Sequence, residues 1–114
     1  MMHVGAIEDL GEIFAMRCTD DAMCGVGILK GDTVLIRRTT DINDGAIAAV
    51  RTRETGEAAV LRRLYSSDDR ITLVPENPSY SDIVVSAIED IEIYGTPVMM
   101  TRPIQAAKVG DNED

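Results

Sequence analysis

Residues 27–52 read GILKGDTVLIRRTTDINDGAIAAVRT, and the fold class is decided in this run. After Gly31 and Asp32 comes an unbroken set of strand formers, Thr33, Val34, Leu35 and Ile36, whose side chains fall alternately on two faces. Asn43-Asp44-Gly45 then supplies turn chemistry, because Asx side chains bond nearby backbone and glycine takes a positive φ without a Cβ penalty. A second short apolar run follows at 46–52. Two short period-two segments separated by a turn, with no 3.6-residue repeat, point to a sheet.

The same pattern extends in both directions. Strands are expected near 13–18, 32–37, 46–52, 58–65, 70–74 and 91–101. Between them stand Glu54-Thr55-Gly56, Ser66-Ser67-Asp68-Asp69 and Pro75-Glu76-Asn77-Pro78, all turn-forming. Val4, Ile7, Leu10 and Phe14 recur at helical spacing, but Gly5 and Gly11 each cost such a helix about 1 kcal/mol relative to alanine, so only a short turn is expected there. The uncharged stretch 22–29 can hold a helical turn, limited by Gly25 and Gly27. The expected architecture is a small, mainly β domain over 1–105, antiparallel or mixed, with a barrel-like core and little helix. The acidic end, 106–114, reads as a disordered tail.

With 114 residues, 45% apolar and 27% charged, the chain has material for one modest core and is not disordered by composition. Its only aromatics are Phe14, Tyr65, Tyr80 and Tyr94, so that core is aliphatic. A net charge of −9 repels a phosphate backbone, which argues against direct nucleic-acid binding. The densest basic spots are Arg37-Arg38 and Arg62-Arg63; strand alternation splits each pair, and Arg38 and Arg63 read as scattered surface charge. No run approaches the ~20 apolar residues of a membrane helix, and no basic start precedes an apolar segment, so the expectation is a cytoplasmic protein without membrane contact. Cys18 and Cys24 form neither a CxxC pair nor a disulfide framework, and His3 is the only imidazole. Both cysteines read as buried free thiols; no metal and no cofactor are expected.

Four segments, taken in order, resemble the peptidase domain shared by LexA repressors, UmuD proteins and many phage repressors. FAMRCTDDAM (14–23) is similar to the family's strand leading into a Gly-x-Ser-Met nucleophile turn. GILKGDTVLIRR (27–38) is similar to its Gly-Ile-x-x-Gly-Asp-x-Val-Leu-Val stretch, and DINDGAIAAVR (41–51) to the turn and strand that follow. VLRRLY (60–65) resembles the strand carrying the family's lysine. ITLVPENPSY (71–80) looks like its Leu-x-Pro-Glu-Asn-x-x-aromatic turn, and IEIYGTPVMMTR (91–102) like its closing strand. Gly-Asp before a β-branched run is common in any protein; the order and spacing of all four segments are what make the resemblance specific.

The resemblance implies a serine endopeptidase dyad, in which a deprotonated lysine takes the proton of the nucleophilic hydroxyl. Here the serine position holds Ala22, and a methyl group attacks nothing. The lysine position holds Arg62, whose guanidinium offers no acceptor lone pair. Asp20 stands where the family has the glycine two before the serine, and Asp21 follows it, adding negative charge where an oxyanion would develop. No catalytic residue is therefore expected to be active. An arginine on the apolar face shared by Val60 and Leu64 needs a counter-charge, and Asp20 and Asp21 are the candidates. Cys24 and Cys18 have no local histidine to activate a thiol in the serine's place.

What the resemblance leaves is an interaction module: a catalytically degenerate member acting in dimerisation or regulatory protein contact in the SOS or phage repressor response, with a full-length repressor or damage-response protein as further partner. The apolar stretch Val98, Met99 and Met100 is the expected homodimer interface, one methionine serving the core and the other the contact. The alternative is a Ser-Lys autopeptidase domain of a LexA-like repressor in an inactivated or truncated form. The chain holds no helix-turn-helix segment, and a DNA-binding role is disfavoured on that ground and by charge.

Overall fold

The structure, a computed structural model, describes residues 11–102. The start of the chain, with Val4, Ile7, Leu10 and His3, and the acidic 106–114 lie outside the described residues. Seven strands follow one another: β1 (Ile13–Arg17), β2 (Thr33–Arg38), β3 (Ile47–Thr52), β4 (Val60–Ser67), β5 (Arg70–Val74), β6 (Ile83–Val85) and β7 (Ile91–Thr101). They form one sheet in the order β1-β2-β7-β3-β4-β5-β6, and every pairing is antiparallel. The only helical pieces among the described residues are 3₁₀ turns at Cys24–Val26, inside the uncharged stretch, and Ile88–Asp90. The domain is mainly β with little helix, as its periodicity requires.

Strand β3 shows where the core sits. Ala48 and Val50 pack on one face with Val60, Leu64, Leu73, Val85 and Ile91, whereas Ala49 packs on the other with Met23, Val34, Ile36 and Leu61. A strand covered on both faces carries a continuous apolar run. Ala49, small on that second face, lets Met23 from the loop between β1 and β2 reach it without overfilling it.

Two elements depart from the sequence reading. β6 falls between the 75–78 turn and the strand expected at 91–101, where the sequence suggested no element, because three residues are too few for alternation to register. It is a strand through its ladder to β5, Ile71↔Val85 to Leu73↔Ile83. β4 runs on through Ser66 and Ser67, so the turn to β5 is only Asp68-Asp69, with Ser67 opposite Arg70.

Strand β7 joins the two halves of the sheet. Its first part pairs with β3 and its last part with β2, and Gly95 stands opposite both Ala49 and Arg38. The register slips where Ala49 and Val50 face Gly95 and Ile93, and again where Leu35 and Ile36 face Met99 and Pro97. Tyr94 and Val98 are the extra residues at these bulges, and a bulge breaks alternation. Val98, Met99 and Met100 are all exposed, at 38%, 50% and 38%; Met99 and Met100 lie past the bulge, opposite Leu35 and Val34 on the two faces of the strand, and neither is buried in the core.

Candidate functional site

Ala22 lies in the 18–32 loop between β1 and β2. The loop is closed at its base by Cys18 N–H to Asp32 O (2.8 Å) and Gly31 N–H to Cys18 O (2.8 Å). Arg62 stands in β4 opposite Ala48, alternating with Val60 and Leu64. The structure brings Arg62 to Asp20: Arg62 Nη2 donates to Asp20 Oδ2 at 3.2 Å, and Nη1 donates to Leu61 O at 2.9 Å. The Arg62 side chain is 6% exposed and that of Asp20 21%. Tyr80 lies against the guanidinium, with Arg62 Cζ 5.6 Å from the ring centroid, a cation–π distance. Among the described residues, Arg62 Nε is the one buried side-chain polar atom without a partner.

Asp21, the other candidate partner, does something else. It is exposed; its Oδ1 accepts from Lys30 N–H (3.0 Å), its N–H donates to Tyr80 Oη (3.2 Å), and its carbonyl accepts from Asn77 Nδ2 (2.9 Å). Asp20 is placed for both tasks of the turn. While Oδ2 holds Arg62, Oδ1 accepts the N–H of Ala22 at 3.1 Å, and Ala22 itself is fully buried.

The 75–80 turn is sewn to this loop. Glu76 N–H donates to Ala22 O (2.7 Å) and Gly25 N–H to Glu76 O (2.8 Å), a two-bond exchange. Gly25 permits it, since a Cβ there would lie 2.5 Å from Glu76 O. Arg63, read as loose surface charge, is half-buried and fastens the same turn: its Nε donates to Glu76 Oε2 at 2.7 Å and its Nη1 to Gly45 O at 2.9 Å. Glu76 and Asn77 were legible as turn formers, but Asn77 and Tyr80 find their partner, Asp21, over fifty residues away, so nothing local marked them as parts of the site. Arg38, by contrast, is exposed, pairing with Glu12 at 3.2 Å over the Phe14 ring.

Of the two thiols, Cys18 is buried and Cys24 exposed. Burial raises the Cys18 pKa above its usual value, so it is a poor nucleophile. Its Sγ is 3.3 Å from Asp20 O. The expectation of two buried thiols fails at Cys24, which lies at the start of a 3₁₀ turn whose side chains none of the neighbouring strands covers.

A second ion pair closes the other end of the loop. Arg102 donates from Nε to Asp32 Oδ1 and from Nη2 to Asp32 Oδ2, both at 2.8 Å, and Nη2 also reaches Gly27 O. The fork, with the Leu29 N–H bond to Oδ2, lowers the Asp32 pKa to about 2. A carboxylate whose folded value is depressed adds stability that is fully present above its ordinary value near 3.8 and is lost as pH falls toward about 2. Urea unfolding followed from pH 5 downward should show that loss in the wild type, and a shallower loss for Arg102→Gln; identical slopes would remove Arg102 from the account.

These observations define a β-sheet domain in which the loop between β1 and β2 sets a carboxylate against a buried arginine of β4. The sequence profile described as Peptidase S24-like matches residues 4–98, and the chain belongs to that family. Among curated proteins it is 36% identical to the LexA repressor of Syntrophotalea carbinolica over 98 residues, 85% of this chain and 46% of that protein. It is 32% identical to the LexA repressor of Lactobacillus acidophilus over 94 residues (82% and 43%) and 34% identical to that of Thermosipho africanus over 99 residues (87% and 48%). The chain thus spans less than half the length of these relatives. Among the described residues no helix is long and apolar enough to cross a membrane.

Proposed function

We propose that this chain is a non-catalytic LexA/UmuD peptidase-like module that acts through dimerisation or regulatory protein contact, in the setting of an SOS or phage repressor response. The observation that carries the reading is the Asp20–Arg62 ion pair, which ties up the residue at the lysine position of the dyad. A guanidinium held by a carboxylate is no general base, and the side chain of Ala22 has neither a hydroxyl nor an exposed surface for a substrate to meet. The Ala22 N–H, a donor at the tip of the turn, already serves Asp20 Oδ1, and a carboxylate there opposes a developing oxyanion. The three changes support one another: an aspartate in place of glycine supplies the charge that an arginine in place of lysine demands.

A homodimer through the end of β7 accounts for the exposure of Val98, Met99 and Met100 on a strongly acidic chain. Methionine suits such a contact because its flexible thioether fits an uneven partner surface. A full-length repressor or a damage-response protein is the further partner.

One preparation tests both parts. Held at alkaline pH, where a dyad lysine would be deprotonated, the chain should keep its intact mass; two defined fragments would refute the non-catalytic reading, and their loss on Cys24→Ala would move the chemistry to that thiol. Light scattering at tens of micromolar should give twice 12.4 kDa, falling to 12.4 kDa for a folded Met99→Asp variant. A monomer in the wild type removes the dimer. The alternative is an inactivated or truncated serine autopeptidase domain of a LexA-like repressor, and a serine codon at position 22 of the gene would decide for it.

A further inference from the structure

Strand β6 ends the sheet. Its pairing with β5 uses one edge, and among the described residues its other edge is paired with nothing. An open edge is a template for a further strand, and proteins usually blunt it with charge, proline or cover. Here the edge strand is Ile83-Val84-Val85, with no charge and no proline, and Val84 and the nearby Ile88 are the two most exposed large apolar residues, at 52% and 63%. Two shallow cavities border it. One, of about 450 Å³, is lined by all three β6 residues together with Thr52, Arg53, Glu54, Glu89 and Asp90; the other, of about 260 Å³, is lined by Val85 and Ile88 with the Asp68-Asp69 turn.

The charge around this edge has a sign. Glu54, Glu89, Asp90 and Asp68 form no ion pair among the described residues, and Asp69 makes only an exposed 3.9 Å contact to Arg70. Arg53 is the single unpaired cation lining these two cavities. An apolar strand edge inside an acidic rim suits an occupant that is extended, apolar at alternate positions and basic at the rest.

We propose that β6 is a docking edge for an extended, lysine- or arginine-bearing segment of another protein, which adds to the sheet as an eighth strand. Main-chain bonds to the open edge would hold it, Val84 and Ile88 would receive its apolar side chains, and Glu89 and Asp90 its cations. This surface lies apart from the Ala22–Arg62 site and from the end of β7, and does not depend on the function proposed above.

Two capped five-residue peptides test it, one alternating lysine and valine and the other alternating glutamate and valine, titrated into the ¹⁵N-labelled protein at low salt. The lysine peptide should shift the amides of residues 83–85, and its affinity should fall about five- to tenfold for the double variant Glu89→Gln, Asp90→Asn, each exposed pair being of modest strength. The glutamate peptide should bind much more weakly, and so should the lysine peptide N-methylated at every residue, which offers no N–H to a ladder and leaves the protein untouched. Absence of shifts at β6, equal binding of both peptides, indifference to N-methylation, or shifts centred on β1 or β7 would each overturn the proposal.

Discussion

Asp20→Ala is expected to destabilise the domain by on the order of 3 kcal/mol, a loss that lowers the thermal midpoint by roughly 10–20 °C in a domain of this size. Removing the carboxylate leaves the Arg62 guanidinium, 5% exposed as a residue, inside the protein with one carbonyl bond and the Tyr80 ring for compensation. It also frees the N–H of Ala22. Asp20 keeps about a fifth of its side chain in water, which places the effect at the lower end of the range for a broken buried pair. Two further variants separate charge from hydrogen bonding. Asp20→Asn retains an acceptor for Ala22 N–H but no charge, and should cost most of the same amount if the ion pair dominates. Arg62→Met together with Asp20→Asn removes both charges and should recover much of the loss, since a buried pair replaced by apolar groups is often neutral. Urea unfolding measures all three. A cost below about 1 kcal/mol for Asp20→Ala would mean that the pair behaves as a surface contact and would withdraw the coupling between the changes at Asp20 and Arg62.

Gly95→Ala should be at least as damaging, by about 3 kcal/mol or more, for a reason unrelated to charge. A Cβ built on Gly95 collides with the carbonyl oxygen of Arg37 and comes within 2.7 Å of Ile36 Cγ2. Gly95 also has φ +156°, at the margin of the glycine-favouring region. Relief would require β7 to move away from β2, yet β7 is the strand through which β1 and β2 join the rest of the sheet. Gly56→Ala is the control: its φ of +74° disfavours a side chain, but open space surrounds it. It should cost on the order of 1 kcal/mol from strain alone. Equal midpoints for the two variants in thermal unfolding would show that the close approach to Arg37 is relaxed at little cost.

The sequence determined the class of the fold and most of its strands, because both follow from local chemistry. Alternation at Val34 and Ile36, Asn43-Asp44-Gly45 and the apolar runs at 46–52 and 70–74 act over a few residues, and strand and turn preferences are decided at that range. It also held the identities at the changed positions, Ala22, Arg62 and Asp20, and the rule that a cation placed among Val60 and Leu64 requires a counter-charge. What it could not decide is anything that depends on which distant segment arrives. The choice of Asp20 over its neighbour rests on which carboxylate the 18–32 loop turns toward β4, and that loop is aimed by Glu76, Asn77 and Tyr80 from the 75–80 turn. Arg63 is a fastener and not loose surface charge because Glu76 and Gly45 O come to it. β6 exists because β5 offers a ladder, and the faces that the residues of β7 present are set by bulges opposite β2 and β3, which reset an alternation that is regular in the sequence. Register and ion-pair partners belong to tertiary structure because their energies depend on separation and burial across the chain, which residue order does not specify.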